Sequence, residues 1–236
     1  MIDSSNTTAV ILAGGEGTRL KKKFSITPKV LLKFNGQSNL ENIVRCLLKN
    51  NIFKIIFIVH HNYEKIKKNI NFLEKKYLIE LELYHEPFPR GTGGTLLDLK
   101  KKIKNNILVI YGDLFININF LNFFNFIASK KYNYFIFTQL SDHPFESDLI
   151  EMNNKNILKK IHKYPHKNLS KNYFKDSCAA IYFFKYRSLD NINFTKKKID
   201  ISRDIIQRLI LLKKEIYCYN SYEFNKDFGT PTQYST

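Results

Sequence analysis

Cysteine is scarce in this chain. The three residues Cys46, Cys178 and Cys218 share no C-x-x-C spacing. An odd, scattered set is neither a disulfide framework nor a paired zinc site, so a reducing, cytoplasmic setting is expected. Long apolar runs are missing too. Stretches such as Ile55–Val59 fall far short of the roughly 20 residues that cross a bilayer as a helix, so no membrane partner is expected. Met1–Thr8 is polar, and Val10–Ala13 is too short for the apolar core of a secretory signal. Acidic residues number 21 against 38 Lys plus Arg, a net charge of +17. Arginine is rare, with six residues, so the excess is lysine. It is spread along the chain, apart from short runs at Lys21–Lys23, Lys100–Lys102 and Lys196–Lys198, and it travels with Asn, Ile, Phe and Tyr. All of these have A/T-rich codons, so compositional bias explains much of the charge. No nucleic-acid partner is expected, although such a surface attracts anionic substrates.

What remains is a globular composition. The 236 residues are 44% hydrophobic and 14% aromatic, enough to bury one core without cross-links and too much for a solvated coil. Through residue 140, short apolar runs alternate with amphipathic ones. Strands are expected at Thr8–Ala13, Lys54–His60, Leu81–His85, Ile107–Tyr111 and Tyr134–Leu140. Helices are expected at Asn39–Asn50, Glu64–Lys75, Thr95–Lys104 and Phe120–Ser129, the first with Leu40, Ile43, Val44, Leu47 and Leu48 at helical spacing. Strands separated by helices give βαβ units and a mostly parallel sheet. The class is therefore α/β. Beyond residue 141 the rhythm changes to a hairpin, Asp148–Met152 and Ile157–Ile161 around Asn153–Asn156. A strand at Ala179–Lys185, a helix at Arg203–Leu212 and a strand at Glu215–Tyr219 follow. The second half reads as a substrate lid on the same sheet, within one unit spanning 1–236.

The first strand runs into Leu12-Ala13-Gly14-Gly15-Glu16-Gly17-Thr18-Arg19-Leu20. Glycines past the carboxyl end of a strand let backbone N–H groups approach a phosphate closely, at the edge where open α/β sheets bind ligands. The Gly-Gly-x-Gly spacing is neither the dinucleotide fingerprint nor the P-loop. Alone it is also compatible with a plain turn. Arg19 and Lys29, the latter after Pro28, bring two cations to the loop and favour a triphosphate. Gly112-Asp113 follows another strand, where Asp113 suits either a turn or a metal. Asp227-Phe228-Gly229 likewise suits a cap, a turn or a ligand, and no kinase-type glycine loop accompanies it. His60 and His61 point to opposite faces of a strand, which disfavours a shared metal.

These motifs resemble the sugar-1-phosphate nucleotidyltransferases. The match lies in the Gly14–Leu20 loop with Pro28-Lys29, in Gly91-Thr92-Gly93-Gly94, in Gly112-Asp113 and in Asp227-Phe228-Gly229-Thr230-Pro231, all in family order. The resemblance implies a Rossmann-like, GT-A-like mixed sheet flanked by helices, with residues 1–140 as the nucleotide-binding half and 141–236 as the sugar-binding half. It implies catalytic roles for Arg19, Lys29, Asp113 and Asp227, with Mg²⁺ held by the two aspartates. Nucleotide contacts are implied at Leu12, Ala13, Gly14, Gly15, Gly17, Thr18, Glu86, Gly91, Thr92 and Gly93. On physical grounds the sugar phosphate is already an anion, so the site needs in-line alignment and charge neutralisation more than a base. The partners implied are a nucleoside triphosphate, GTP favoured, and a sugar 1-phosphate.

The sugar side is less regular. His143-Pro144-Phe145-Glu146-Ser147-Asp148-Leu149-Ile150 is similar to a stretch of heptose-1-phosphate guanylyltransferase-like proteins, which points to a GDP-heptose or related GDP-sugar for cell-surface polysaccharide or lipopolysaccharide. Other sugars (N-acetylmuramate, mannose, glucose) stay open, as does a non-catalytic relative. Ser147, Asp148, Cys178 and Lys226 are the implied sugar contacts. The family's Asn-Ala-Gly-Ile-Tyr reads here Cys178-Ala179-Ala180-Ile181-Tyr182, and a cysteine is a poor hydrogen-bond partner. Cys178 also fits a small buried residue. The chain stops soon after Pro231, so a fused acetyltransferase is not expected.

Overall fold

The computed structural model describes residues 3–15, 27–34, 36–141, 144–145, 147–166 and 176–227; of Phe224 and Asp227 it describes the backbone. In chain order the elements are β1 (Thr7–Leu12), a 3-10 turn (Lys29–Leu31), β2 (Lys33–Phe34), β3 (Gln37–Ser38), α1 (Asn39–Lys49), β4 (Lys54–Val59) and α2 (Tyr63–Tyr77). There follow β5 (Glu82–His85), α3 (Gly91–Leu99), β6 (Asn106–Tyr111), β7 (Leu114–Asn117), α4 (Phe120–Ala128) and β8 (Tyr134–Leu140). The second half adds β9 (Leu149–Met152), β10 (Leu158–His162), β11 (Asp176–Phe184), a π-helical segment (Ile201–Ile206), α5 (Gln207–Leu211), β12 (Ile216–Asn220) and β13 (Phe224–Asp227).

Nine strands form one sheet in the order β10-β9-β11-β6-β1-β4-β5, with β8 beside β11 and β12 beside β8. β1, β4, β5 and β6 are mutually parallel, as the alternating pattern predicts, while β11 enters antiparallel between β6 and β8. Successive residues of a strand face opposite ways, and the central strands are buried on both faces. Ala9, Ile11, Phe57, Val59, Leu108, Ile110, Phe135, Phe137, Ile181 and Phe183 join α1, α2 and α4 in one core. Their neighbours Val10, Ile56, Ile58, Val109, Ile136, Tyr182 and Phe184 join α3 and Ile199–Leu209 in the other. At the centre of the first core Phe123 meets the rings of Phe135, Phe137, Phe183 and Tyr219 at centroid distances of 4.7–5.7 Å, a set worth about 0.5–1.5 kcal/mol per pair beyond area burial.

Local chemistry sets the element ends. Ser38 caps α1 by accepting the Glu41 N–H at 3.2 Å, and the Glu41 carboxylate, buried, takes Lys76 and Tyr77 at 2.7 and 2.8 Å. Beyond α3, the Lys100 ammonium donates to the carbonyls of Leu189, Asp190 and Ile192 at 2.7–3.2 Å. It thereby ties the nucleotide half to the connection after β11.

Two expectations need correcting, and one ribbon lies outside them. The third helix starts at Gly91, not Thr95, because the glycine segment is docked by tertiary contacts that propensity does not register. The helix read as Arg203–Leu212 opens earlier, as a π turn at Ile201 capped by Asp200, which accepts the Arg203 N–H at 2.8 Å. The ribbon β7–β13 was not expected at all; its strands are 4 residues each and pair with one another.

Candidate active site

Above the carboxyl ends of β1, β4 and β6 lies a cavity of about 280 Å³, lined by Leu12, Gly14, Gly15, Lys29, Ile58, His61, Glu86, Pro89, Gly91, Thr92, Tyr111 and Asp113, with Val30. The strand ends are fastened to each other: Ala13 N–H donates to Ile58 O at 2.8 Å, and Gly112 N–H to Leu12 O at 3.0 Å. A Cβ on Gly112 would sit 2.9 Å from that same Leu12 carbonyl. The glycine is therefore needed for β6 to close on β1, and it launches Asp113 at the cavity wall.

Lys29 enters from the 3-10 turn, and its Nζ lies 3.7 Å from Asp113 Oδ2. The turn carrying Asp113 is gripped by Asn39, the first residue of α1. Its buried amide donates to the carbonyls of Gly112 and Leu114 at 2.8 and 2.9 Å, one on each side of the aspartate. Sequence reasoning missed Asn39, whose only signal was its place after the capping Ser38. In the β7–β13 ribbon, Asp227 pairs with Leu114, the residue that directly follows Asp113.

The far wall is the loop before α3. Glu86 is 6% exposed; its carboxylate accepts the Arg90 N–H at 3.1 Å and the Thr95 hydroxyl, and its carbonyl meets His60 Nδ1 at 2.7 Å. His60 and His61 lie beyond the end of β4 with their rings 4.5 Å apart and edge-on, so the expected opposite strand faces do not apply; His60 meets the loop and His61 lines the cavity. Gly91 has φ +76°, and a Cβ there would lie 2.4 Å from Ile199 O. Tyr111, half-buried, closes the floor; burial pushes its phenol well above the usual range. Tyr111, His61 and Pro89 were not singled out beforehand as cavity residues, since only the fold brings them together.

The cavity thus gathers Leu12, Gly14, Gly15, Lys29, Glu86, Gly91, Thr92 and Asp113 of the expected set. Ala13 is buried beneath it, and Gly93 packs toward Ile199 and Ile205. Gly17, Thr18 and Arg19 lie outside the described residues, as does the Asp227 side chain. The four sugar-side residues stand outside this cavity's lining. Ser147 is hydrogen-bonded to Ser141 at 3.2 Å, and Asp148 accepts the Tyr164 N–H at 2.9 Å. Lys226 lies on β13, opposite Phe115. Cys178 is 3.2 Å from the Tyr182 hydroxyl, and burial pushes its thiol up to about 11. Ala180, where the resembled family has glycine, has φ +54° at a register shift in β11. The replacement therefore strains the backbone, beyond narrowing the space.

Comparison with known proteins agrees with this architecture. The sequence profile of the family described as Nucleotidyl transferase matches residues 8–236. D-glycero-alpha-D-manno-heptose 1-phosphate guanylyltransferase of Campylobacter jejuni is 37% identical over 112 residues, which are 47% of this chain and 49% of that protein. Mannose-1-phosphate guanylyltransferase catalytic subunit beta of Drosophila melanogaster is 25% identical over 98% of this chain and 62% of its own length. This chain therefore spans between about half and 62% of these two relatives. Among solved structures, HddC from Yersinia pseudotuberculosis complexed with GMP-PN superposes with a TM-score of 0.78 at 19% identity, covering 97% of this chain and 96% of that one. The inositol-1-phosphate CTP transferase from T. maritima gives 0.76 at 14%, covering 97% and 91%. Both share the fold. Among the described residues no helix is long and apolar enough to cross a membrane.

Proposed function

The chain belongs to the nucleotidyl transferase family, and from that premise we propose that it transfers a nucleoside monophosphate from a triphosphate to a sugar 1-phosphate. The observation that carries the reading is the pairing of Lys29 and Asp113, 3.7 Å apart, on the wall of a glycine-lined cavity at the carboxyl edge of a parallel sheet. A sugar-phosphate oxygen forms a bond to the α-phosphorus, the bond from that phosphorus to the β-phosphate bridging oxygen breaks, and pyrophosphate leaves with the electron pair. No proton must be removed from the nucleophile. The residues need only align polyanions and offset charge on the five-coordinate phosphorus. Gly14 and Gly15 give close backbone approach, and Lys29 supplies a compact positive charge.

The donor set suits Mg²⁺. Asp113 is a hard oxygen ligand with its side chain 32% exposed, and Asp227 joins the same ribbon. This ion takes one or two carboxylates and completes its shell with phosphates and water. Bound there, it would neutralise phosphate charge. Asn39 holds the Asp113 turn, and Lys29 offsets the carboxylate.

Guanosine is the favoured base and a heptose 1-phosphate the favoured acceptor. Both guanylyltransferases above support the base, and the heptose relative together with the Ser147-Asp148-Leu149-Ile150 stretch supports the sugar. The product would be a GDP-sugar for cell-surface polysaccharide. The test crosses four triphosphates against heptose, mannose, glucose and N-acetylmuramate 1-phosphates, following Mg²⁺-dependent pyrophosphate release. One active pair, abolished by Asp113→Asn, is the expected result. Silence across the grid with intact nucleotide binding would favour a non-catalytic relative.

A further inference from the structure

The Gly91-Thr92-Gly93-Gly94 segment is held by a piece of chain more than a hundred residues away, Ile199–Ile205. The two run side by side: Ile199 N–H donates to Arg90 O and Gly93 N–H to Ile199 O, both at 2.8 Å. Between these bonds the Thr92 hydroxyl donates to Asp200 Oδ2 at 3.0 Å and accepts the Ile201 N–H at 2.9 Å. A threonine hydroxyl has one proton and two lone pairs, so these two bonds use its proton and one lone pair and fix its rotamer. Asp200 is itself pinned. Its Oδ1 accepts the Arg203 N–H at 2.8 Å, and its N–H donates to Asp204 Oδ2 at 2.7 Å. Asp204 in turn binds Lys196 at 2.5 Å.

The glycines fit this docking. At Gly93 a Cβ would come within 2.9 Å of Ile205 Cδ1 and 3.2 Å of Ile199 Cγ2. At Gly91 it would strike Ile199 O. Gly93 therefore serves packing on the second half of the chain, while Gly91 and Thr92 are left as the cavity wall. We propose that Asp200 is a positioning residue, which through the Thr92 hydroxyl fixes the nucleotide-facing wall of the cavity from the sugar-binding half of the chain. This rests on the nucleotidyl-transfer reading for its kinetic arm only.

The test uses Asp200→Ser, Thr92→Val and Thr92→Ser in the full chain. Serine at 200 keeps a helix-capping oxygen but is too short to hold Thr92. Valine at 92 keeps the shape and removes the hydroxyl, and serine at 92 restores it. Hydrogen exchange of the amides of Gly91–Thr95 is expected to accelerate about tenfold in Asp200→Ser and Thr92→Val, and to stay near wild type in Thr92→Ser; a bond to a charged group is of that size. With the active pair, KM for the triphosphate should rise about tenfold, kcat should change less than about twofold, and KM for the sugar phosphate should hold. The double variant should be no worse than either single variant. Unchanged exchange at Gly91–Thr95, or additive losses, would overturn the inference. A wild type without turnover would sink the nucleotidyl-transfer reading while leaving the exchange arm decisive.

Discussion

Lys29→Met should separate chemistry from stability, and the structure sets both magnitudes. The Lys29 and Asp113 side chains are 16% and 32% exposed and 3.7 Å apart, a loose pair open to solvent. Such pairs are worth about 0–1 kcal/mol, and in a chain of this size 1 kcal/mol moves the melting temperature by roughly 2–4 °C. Methionine keeps most of the length and the apolar character of the stem while removing the charge. In the proposed reaction the same ammonium would face an α-phosphate gathering negative charge, where one missing charge contact costs about 2.7–4 kcal/mol, or 10²–10³ in rate. The expected outcome is a kcat lower by two to three decades with a melting temperature within a few degrees of wild type. Pyrophosphate release with the active substrate pair and a thermal melt on the same preparation check it. A rate loss under about fivefold would remove Lys29 from the reaction. A melting temperature lowered by more than about 8 °C would show instead that the residue is structural, and would refute the energetic separation.

Three further outcomes are expected. At Ala180, φ +54° disfavours any side chain and most strongly a β-branched one, so urea unfolding should rank Gly at or above Ala, with Val lower by about 2 kcal/mol, the reverse of ordinary strand preference. At Glu41, burial pushes the carboxyl up, but hydrogen bonds from Lys76 and Tyr77 outweigh it and hold the group below its usual range. A depressed folded value stabilises above the unfolded value near 4.3 and loses that contribution as pH falls through the folded one. The melting-temperature gap between wild type and Glu41→Gln should therefore be flat around neutrality and close below about pH 4, and a gap persisting in acid would contradict the assignment. For the thiols, burial pushes Cys46 up, Cys178 up to about 11 and Cys218 up to about 12. A thiol reagent at pH 8 should find almost no fast-reacting group in the folded protein and three after denaturation; a rapid native thiol would contradict the raised thiols.

The strands were legible because each central one alternates between two buried faces yet stays continuously apolar, as in Ile55–Val59 and Tyr134–Phe137. The glycine loop was legible as a ligand edge because two cations accompany it past a strand end, and Gly14, Gly15 and Lys29 do line the cavity. What escaped shares one property: partners far apart in sequence. β7 is four residues of modest pattern that exist as a strand because Phe224–Asp227 lies against them. The start of α3 at a glycine is set by Ile199, and the π turn beside it by docking against that same helix start. Asn39 carries no motif, yet it holds both carbonyls flanking Asp113.

That division has a consequence for the site. The groups proposed to meet phosphate, Gly14, Gly15 and Lys29, lie within 16 residues of one another and read as a motif. The groups that hold the walls, Asn39 on Asp113 and Asp200 on Thr92, act across 73 and 108 residues. Local motifs state which chemistry the cavity offers, while distant contacts set its dimensions and so the base and sugar that fit it. Substitutions at the first group should therefore abolish turnover for every substrate pair, and substitutions at Asp200 should redistribute preference among triphosphates. A grid of kcat/KM values over four bases for Asp200→Ser, compared with Lys29→Met, tests that difference directly. Equal proportional losses across all bases in Asp200→Ser would show that the long-range contacts support the fold without shaping specificity.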